Sequence, residues 1–486
     1  MSNIDDVKKY KVICVFMVLF FIFLRLPGLD LPYHQDERKY ATSISISDSN
    51  TPHPPIWKAV SVYTAKIFGR DNFRVTPFLF SVANLLLLFY LVRFKFGPKA
   101  ALWAALFFAS AYYSVLASLM VDIDGAVLPF FLLLSLISYY KWQGVESRRG
   151  KIIWGGLLTL FLILGFLTKL SFIIVVGALI LDYLSRVYGE VNKKALLKYG
   201  VMAGGLLIFL FFVLWVIKVV LPSFNLARTL SHARDSFHLT GRAYLQVLIQ
   251  SIKAIIYSSP LLILPLIFLN KERLVKLKFF FIFIISGLVF YLIIFDFSLA
   301  ALDKYLTFLV IPLSVITGVI VNEIFGERKA EDIKRGLILG LLLAVPIFFL
   351  QFLAHYVPPL YPKEEWVSRI IKLKWNFVFP FTGGSGPLGF YVSWLFIGLS
   401  WISVVILGIV ALFRRQQYVL LLVAAMIVGV SYNLVFIEEY LVGRINGSPA
   451  VLLKNATDFI EKNESIKKII SYNDIGGYEI SKIGKF

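Results

Sequence analysis

The chain of 486 residues is 59% hydrophobic, 16% aromatic and only 16% charged, with a mean hydropathy of +0.79. Its polar residues are too few to cover a water-soluble globule of that size. The net charge of +20 comes from Lys and Arg shared among short loops rather than gathered on one soluble face, so nucleic acid is not an expected partner. Cys14 is the single cysteine, which excludes an intrachain disulfide and a cysteine-based metal site.

In chain order, the first apolar run, 11–27, follows Lys8, Lys9 and Lys11 and has no small-residue cleavage site after it, so it reads as a retained helix. Further apolar runs cover 75–93, 99–118, 125–141, 152–168, 171–185, 200–220, 247–269, 279–299, 306–321, 337–356, 390–412 and 418–437. Runs of roughly 17 to 25 apolar residues cross a hydrocarbon core as helices, and these lack the alternation of a transmembrane barrel. The expectation is an all-α polytopic membrane protein of about thirteen transmembrane helices.

With a cytoplasmic N-terminus, every inside loop is short and basic, carrying Arg93, Lys95 and Lys99; Lys141, Arg148, Arg149 and Lys151; Arg186, Lys193, Lys194 and Lys198; Lys271, Arg273, Lys276 and Lys278; Arg328, Lys329, Lys334 and Arg335; and Arg414 and Arg415. Asp182 and Arg186, spaced i,i+4, read as a structural pair at an inner helix end. The long hydrophilic segments 28–74, 221–246, 357–389 and 438–486 then share the extracytoplasmic face with the C-terminus, in the plasma membrane.

The first of these loops, 28–74, is expected to hold two amphipathic juxtamembrane helices, one around 37–47 and one from Pro54 to Phe68. The domain plan is a transmembrane unit over 1–437 and a short extracytoplasmic segment over 438–486. That tail reads as small and α/β: a helix at 449–462, then a hairpin of KKIISYN and YEISKIGKF through DIGG, resting on the loops. Its sequons at Asn446, Asn455 and Asn463 agree with an outside location. Trp366, Trp375 and Tyr361 in the loop 357–389 read as interface aromatics. No duplicated half is visible, and the Pro- and Gly-rich stretches fall outside rather than at mid-membrane. That weighs against the alternative reading, a polytopic lipid or solute transporter.

Asp36 and Glu37 stand back to back in YHQDERKY, just beyond the first helix. Acids in the first turn of a helix are one account. Arg38, Lys39, His34 and His53 offer another, since they put cations and proton carriers beside lipid, as handling a lipid phosphate requires. In the turn SLMVDIDGAVLP, Asp122 and Asp124 either cap the next helix or form a second acidic site; with His34 or His53 they are weak candidates for a divalent metal ion. Lys169 and Lys304 sit at outer helix ends, where a lone cation snorkels or binds an anion. Asp296, near the same face, has Lys304 or Lys169 as a conceivable partner. Arg228, Arg234, His232 and His238 give the loop 221–246 a wet amphipathic surface, with a phosphate contact through Arg228 as the other reading.

DERKYA resembles the D-E-x-R-Y-A signature in the first extracytoplasmic loop of GT-C class membrane glycosyltransferases, in the group of aminoarabinose transferases and dolichyl-phosphate-mannose protein mannosyltransferases. HPPIWKAVSVYTAKIFG is similar to the family's H-P-P-L segment, FRVTPFLFSVANLLLLFYLVRFKFG to its Arg-led helix, FLTKLS to its T-K turn, and DKYLTFLVIPL to its R-Y-L-x-x-x-x-P element. The likeness covers roughly residues 10–320; the rest matches in helix count and placement only.

The resemblance implies a transferase that passes a sugar from a polyprenyl-phosphate carrier, dolichyl or undecaprenyl, to a protein, lipid or glycan outside the cytoplasm, with no cofactor required. It puts Asp36 at the base position and Glu37 at the second acid. It leaves Arg38, Lys39, His53, Lys169, Lys304 and Arg228 to meet the donor phosphate; Lys39 and Lys304 stand where the family has Arg. Adjacent residues on a helix point about 100° apart, so Asp36 and Glu37 are not the facing pair of a retaining enzyme, and inversion at the anomeric carbon is expected.

Overall fold

In hydrocarbon a backbone has only itself to hydrogen-bond, so apolar runs with charges confined to their ends become helices packed side by side. The computed structural model describes residues 4–34, 36–42, 53–187, 193–235, 243–294, 302–326, 330–352, 363–381, 389–414, 416–471 and 476–484. Helix α1, Ile4–Phe23, leads into the first loop, which holds α2, Asp36–Thr42, and α3, Pro55–Phe68. There follow α4, Val75–Phe96; α5, Pro98–Ser110; α6, Tyr112–Leu119; α7, Val127–Gly144; α8, Arg148–Thr168; α9, Ile173–Val187; and α10, Lys193–Val220. The next loop carries α11, Leu226–Asp235, before α12, Tyr244–Ile263; α13, Lys271–Lys276; α14, Lys278–Val289; α15, Leu302–Tyr305; α16, Val310–Phe325; and α17, Ala330–Phe349. Helix α18, Lys363–Ile371, precedes two antiparallel strands, β1, Val378–Phe381, and β2, Phe390–Ser393, and the chain closes with α19, Trp394–Phe413; α20, Tyr418–Leu441; α21, Pro449–Lys462; and α22, Gly477–Lys482.

Each expected apolar segment falls at least in part on a helix, though the first four residues of 390–412 form a strand and the ends of 279–299 and 337–356 lie outside the described residues; length and hydropathy together qualify nine spans among the described residues, or ten with one bent pair, rather than thirteen. The shortfall has physical causes. Helix α7 ends in the polar stretch YYKWQG, and the apolar helices Val12–Gly28 and Lys278–Ile294 are short. Helices α5 and α6 form the bent pair, turning by 65° at Ala111. A break inside a membrane frees backbone donors, and here the Tyr112 N–H is taken by Asn433 Oδ1 of α20 at 3.1 Å. Helix α12 kinks before Pro260, where Ser259 has a positive φ of 65°.

Helix α20 packs on α17, α19 and α12, while α5 lies between α4 and α16. Small residues let these backbones approach: a Cβ on Gly336 would lie 2.6 Å from the Leu420 carbonyl oxygen, and one on Gly318 would lie 2.5 Å from the Ala104 nitrogen. Basic residues assigned to inside loops gather at one end of the bundle. Lys95 lies 4.3 Å from the ring centroid of Tyr140 and Lys141 4.2 Å from that of Phe94. Arg186 pairs with Asp182 at 2.7 Å, as its spacing predicts, and Arg273 and Lys276 meet Glu323 at 2.8 and 2.6 Å.

The tail departs from expectation. Helix α21 lies at the expected 449–462, but the second arm of the supposed hairpin is helical, as α22, and residues 472–475 fall outside the description. The pattern YEISK alternates over too few residues to separate a strand from one helical turn. The two-stranded sheet described lies instead at β1 and β2, ahead of α19. Trp366 is buried against it, its ring 4.6 Å from that of Phe379, rather than placed at an interface. The close approach of α5 and α16 makes a prediction: Gly318→Ala should lower thermal stability by about 1–3 kcal/mol, because backbone rather than a flexible side chain blocks the added methyl. A melting curve in detergent checks this.

Candidate active site

The first loop is pinned where it leaves the membrane. Glu37 sits in the first turn of α2, and its Oε2 accepts the His34 backbone N–H at 3.3 Å while its own N–H bonds the His34 carbonyl at 3.0 Å. This reciprocal pairing starts the helix. The carboxylate meets Arg74, the residue capping α4, in a two-pronged ion pair of 2.7 Å (Nη1 to Oε1) and 2.8 Å (Nη2 to Oε2), with both side chains wholly buried. Arg74 spends its remaining donors on the carbonyls of Leu31 (2.9 Å), Pro32 (2.7 Å) and Leu119 (2.5 Å), so all five N–H groups are used. The Val121 N–H completes the shell on Glu37 Oε1 at 3.0 Å.

Beside this anchor, the turn between α6 and α7 presents two buried acids. Asp122 pairs with Lys304 at 2.8 Å and Asp124 with Lys169 at 2.5 Å. Lys169 is the extended residue ending α8, Lys304 lies in α15, and both ammonium groups flank the Tyr305 ring, at 4.5 and 5.0 Å from its centroid. The turn is tight because Gly125 faces α6, where a Cβ would stand 2.3 Å from the Ala117 carbonyl oxygen. Burial alone would raise the Asp122 carboxyl, but Lys304 and Lys169 outweigh it and hold the group at about 2. Asp124 is the weaker acid, raised by burial and by the Asp122 anion against the pull of Lys169.

Two histidines close the group. His53, next to Pro54 at the head of α3, stands with its ring 6.0 Å from that of His232 on α11, edge to face. Burial, together with Lys169, His232 and Lys304, pushes His53 well below the ordinary histidine range despite Asp122, so it is neutral at physiological pH. His232 is also lowered, first by burial and then by Lys169 and Lys39, with a smaller push from Arg228 and an opposing pull from Asp235. The fold therefore gathers Lys39, His53, Asp122, Asp124, Lys169, His232 and Lys304 at the end of the bundle opposite the basic cluster.

Asp36 is the first residue of α2; its side chain lies outside the described residues, as do Asp296, His238 and Tyr361. Arg38 and Lys39 are half-buried on α2, and Arg228 is exposed on α11. The two lysines weighed as partners for Asp296 are engaged by Asp122 and Asp124. For a divalent ion the fit is poor: both aspartates are already met by ammonium groups, and among the described residues no three His, Cys, Asp or Glu side chains converge. Arg74, at the head of α4, and Tyr33 beneath it belong to the site although their sequence context marks neither as functional. The available signal was a lone arginine at an outer helix start, facing two acids across the loop.

Residues 52–215 match the family model described as dolichyl-phosphate-mannose-protein mannosyltransferase. A curated relative from Bacillus subtilis (strain 168), named "Putative mannosyltransferase YkcB", is 32% identical over 146 residues, which span 29% of this chain and 19% of that one. This chain therefore covers only a minor part of that relative's length. The fold is that of ArnT from Cupriavidus metallidurans: the crystal structure with undecaprenyl phosphate superposes with a TM-score of 0.58 at 16% identity, covering 96% of this chain and 84% of that one. The apo structure gives 0.54 at 15% identity, covering 96% and 83%. The chain thus shares the fold of these two structures, a mostly helical, multi-pass membrane architecture.

Removing one partner from a buried, fully bonded ion pair costs about 3–5 kcal/mol. Arg74→Ala should therefore lower the melting temperature sharply, and Arg74→Lys should recover part of the loss, since an ammonium keeps the charge but not the fork. Equal melting of parent, Arg74→Ala and Arg74→Lys would refute the anchor.

Proposed function

We propose that this chain is an inverting glycosyltransferase that moves a sugar from a polyprenyl phosphate, dolichyl or undecaprenyl, to an acceptor outside the cytoplasm, with the site and C-terminus extracytoplasmic and the N-terminus inside. The observation that carries the assignment is the saturation of Glu37. Four donors already fill its two oxygens, so it orients the loop and has no room to receive an acceptor hydroxyl. Its neighbour Asp36, at the head of the same helix, is then the base. The family model over 52–215 and the fold shared with a protein that binds undecaprenyl phosphate support the class of donor.

The acceptor oxygen attacks the anomeric carbon while the bond from that carbon to the phosphate oxygen breaks. Asp36 takes the hydroxyl proton, and the electron pair leaves on polyprenyl phosphate. A phosphate is a stable leaving anion, so no acid need protonate it; the leaving group gains negative charge, and cations stabilise it. Lys169 and Lys304, held by Asp124 and Asp122, place two ammonium groups on either side of the Tyr305 ring, where the leaving phosphate would meet them. Asp122 and Asp124 hold the two lysines in place as positioning residues. His53, kept neutral, contributes a ring N–H without adding charge, while Arg38, Lys39 and Arg228 supply the outer cations. No cofactor enters this account. The acceptor, whether protein, lipid or glycan, approaches from the aqueous side of α2.

The test offers purified protein in lipid nanodiscs a panel of polyprenyl-monophosphate hexoses and pentoses and follows loss of donor. Parent protein should consume at least one. Asp36→Asn should cut turnover by about 10²–10⁴ while leaving donor binding in place. Undiminished turnover in that variant would sink the base assignment, and indifference of the parent to every donor would sink the class.

A further inference from the structure

The last helix of the chain reaches back to the first loop. Tyr478, buried on α22, donates its hydroxyl to Asp71 Oδ1 at 3.0 Å, a contact spanning 407 residues of sequence. Lys482, one turn on, pairs with the same carboxylate at 2.7 Å. The Tyr478 ring stands edge-on to Tyr33, with centroids 5.0 Å apart. Tyr33 closes the two ends of the loop on each other: its hydroxyl accepts the Phe73 N–H at 2.8 Å and donates to the Arg70 carbonyl at 3.2 Å. The Arg74 guanidinium carbon lies 5.3 Å from the centroid of the same ring, and Arg74 is the group that forks Glu37.

We propose that α22 is a positioning clasp for the catalytic loop. Tyr478 wedges Tyr33 under Arg74, and so fixes Glu37 and the start of α2 where Asp36 stands. This rests on the transferase reading above for its consequence in turnover, but not for its structural content. An aromatic edge against a buried ring restrains position without adding a charge that would compete for Arg74. The ion pair of Lys482 and Asp71 is half open to water, with side chains 42% and 67% exposed, so it contributes little by itself. Tyr478 is therefore the member that matters, a positioning residue remote from the reacting atoms.

The full chain in nanodiscs, as parent, Tyr478→Ala, Tyr478→Phe and Lys482→Ala, is followed by hydrogen exchange over 31–42 and 70–76 and by donor turnover at saturating and low donor. Tyr478→Ala should speed exchange in those two segments while α5, α16 and α20 stay protected, and should lower kcat on the order of ten- to a hundredfold with donor KM within about twofold. Tyr478→Phe, which keeps the ring against Tyr33, should restore most of both, and Lys482→Ala should resemble the parent. Unchanged exchange over 31–42 in Tyr478→Ala overturns the clasp, and so does loosening that spreads through α16 and α20, which marks a general loss of stability. A parent that consumes no polyprenyl donor defeats the transferase reading and leaves the exchange measurement to decide the clasp alone.

Discussion

The Glu37 and Arg74 ion pair is the constraint on which the site depends. Two charges withdrawn from water cost several kcal/mol each, and such a pair persists only where every remaining donor and acceptor is met. Here they are: the carbonyls of Leu31, Pro32 and Leu119 and the N–H groups of His34 and Val121 complete the shell. Because those groups come from the first loop, from α6 and from the turn beyond it, satisfying one ion pair fixes three segments relative to one another. The same saturation commits Glu37, of the two adjacent carboxylates, to holding structure.

The acid turn obeys a different economy of charge. Asp122 and Asp124 could not both remain ionised so close together in a buried turn without cations, and Lys304 and Lys169 arrive from two separate helices to meet them. The arrangement neutralises the acids, and the neutral His53 beside them adds a hydrogen-bonding group at no electrostatic cost. Opposite it, at the far end of the bundle, Lys95, Lys141 and Lys276 lie over aromatic rings or on Glu323 and are spent on interfacial packing.

Much of this was legible in the sequence, because membrane burial writes itself as long apolar runs and charged residues fall where the runs stop. The helices, the amphipathic segment at Pro55–Phe68, the pair Asp182 and Arg186, and the placement of Lys169 and Lys304 at one face follow from that rule. What failed was local and short. The peptide YEISK carries too few residues to tell a turn of helix from a strand, β1 arises in a loop whose aromatic residues looked interfacial, and β2 takes the first four residues of an expected apolar helix. Partnership was the larger gap. A sequence shows Arg74, Lys169 and Lys304 as lone cations, and only the packing of α4, α8 and α15 around one turn shows which acid each one meets.

Arg25 completes the logic. It is as buried as Arg74 but has no carboxylate among its hydrogen-bond partners in the described residues; it bonds Ser118 and Ser114 through their hydroxyls at 2.7 and 3.0 Å and the carbonyls of Phe21 and Ala109 at 3.0 and 3.1 Å, lying 3.4 Å from the Phe21 ring centroid. A charge can be held this way when many neutral dipoles converge on it, though such a site offers no anion to re-aim. Ser114 and Ser118 lie on α6, whose last carbonyl, at Leu119, is bound by Arg74. One arginine thus fastens the body of the short helix to α1 and the other fastens its end to the first loop. The bent α5 and α6 pair, a costly break for a membrane helix, is thus bonded on both sides of its bend, at Ala109 and along α6. Beyond that helix the chain turns through Asp122 and Asp124, which meet Lys304 and Lys169.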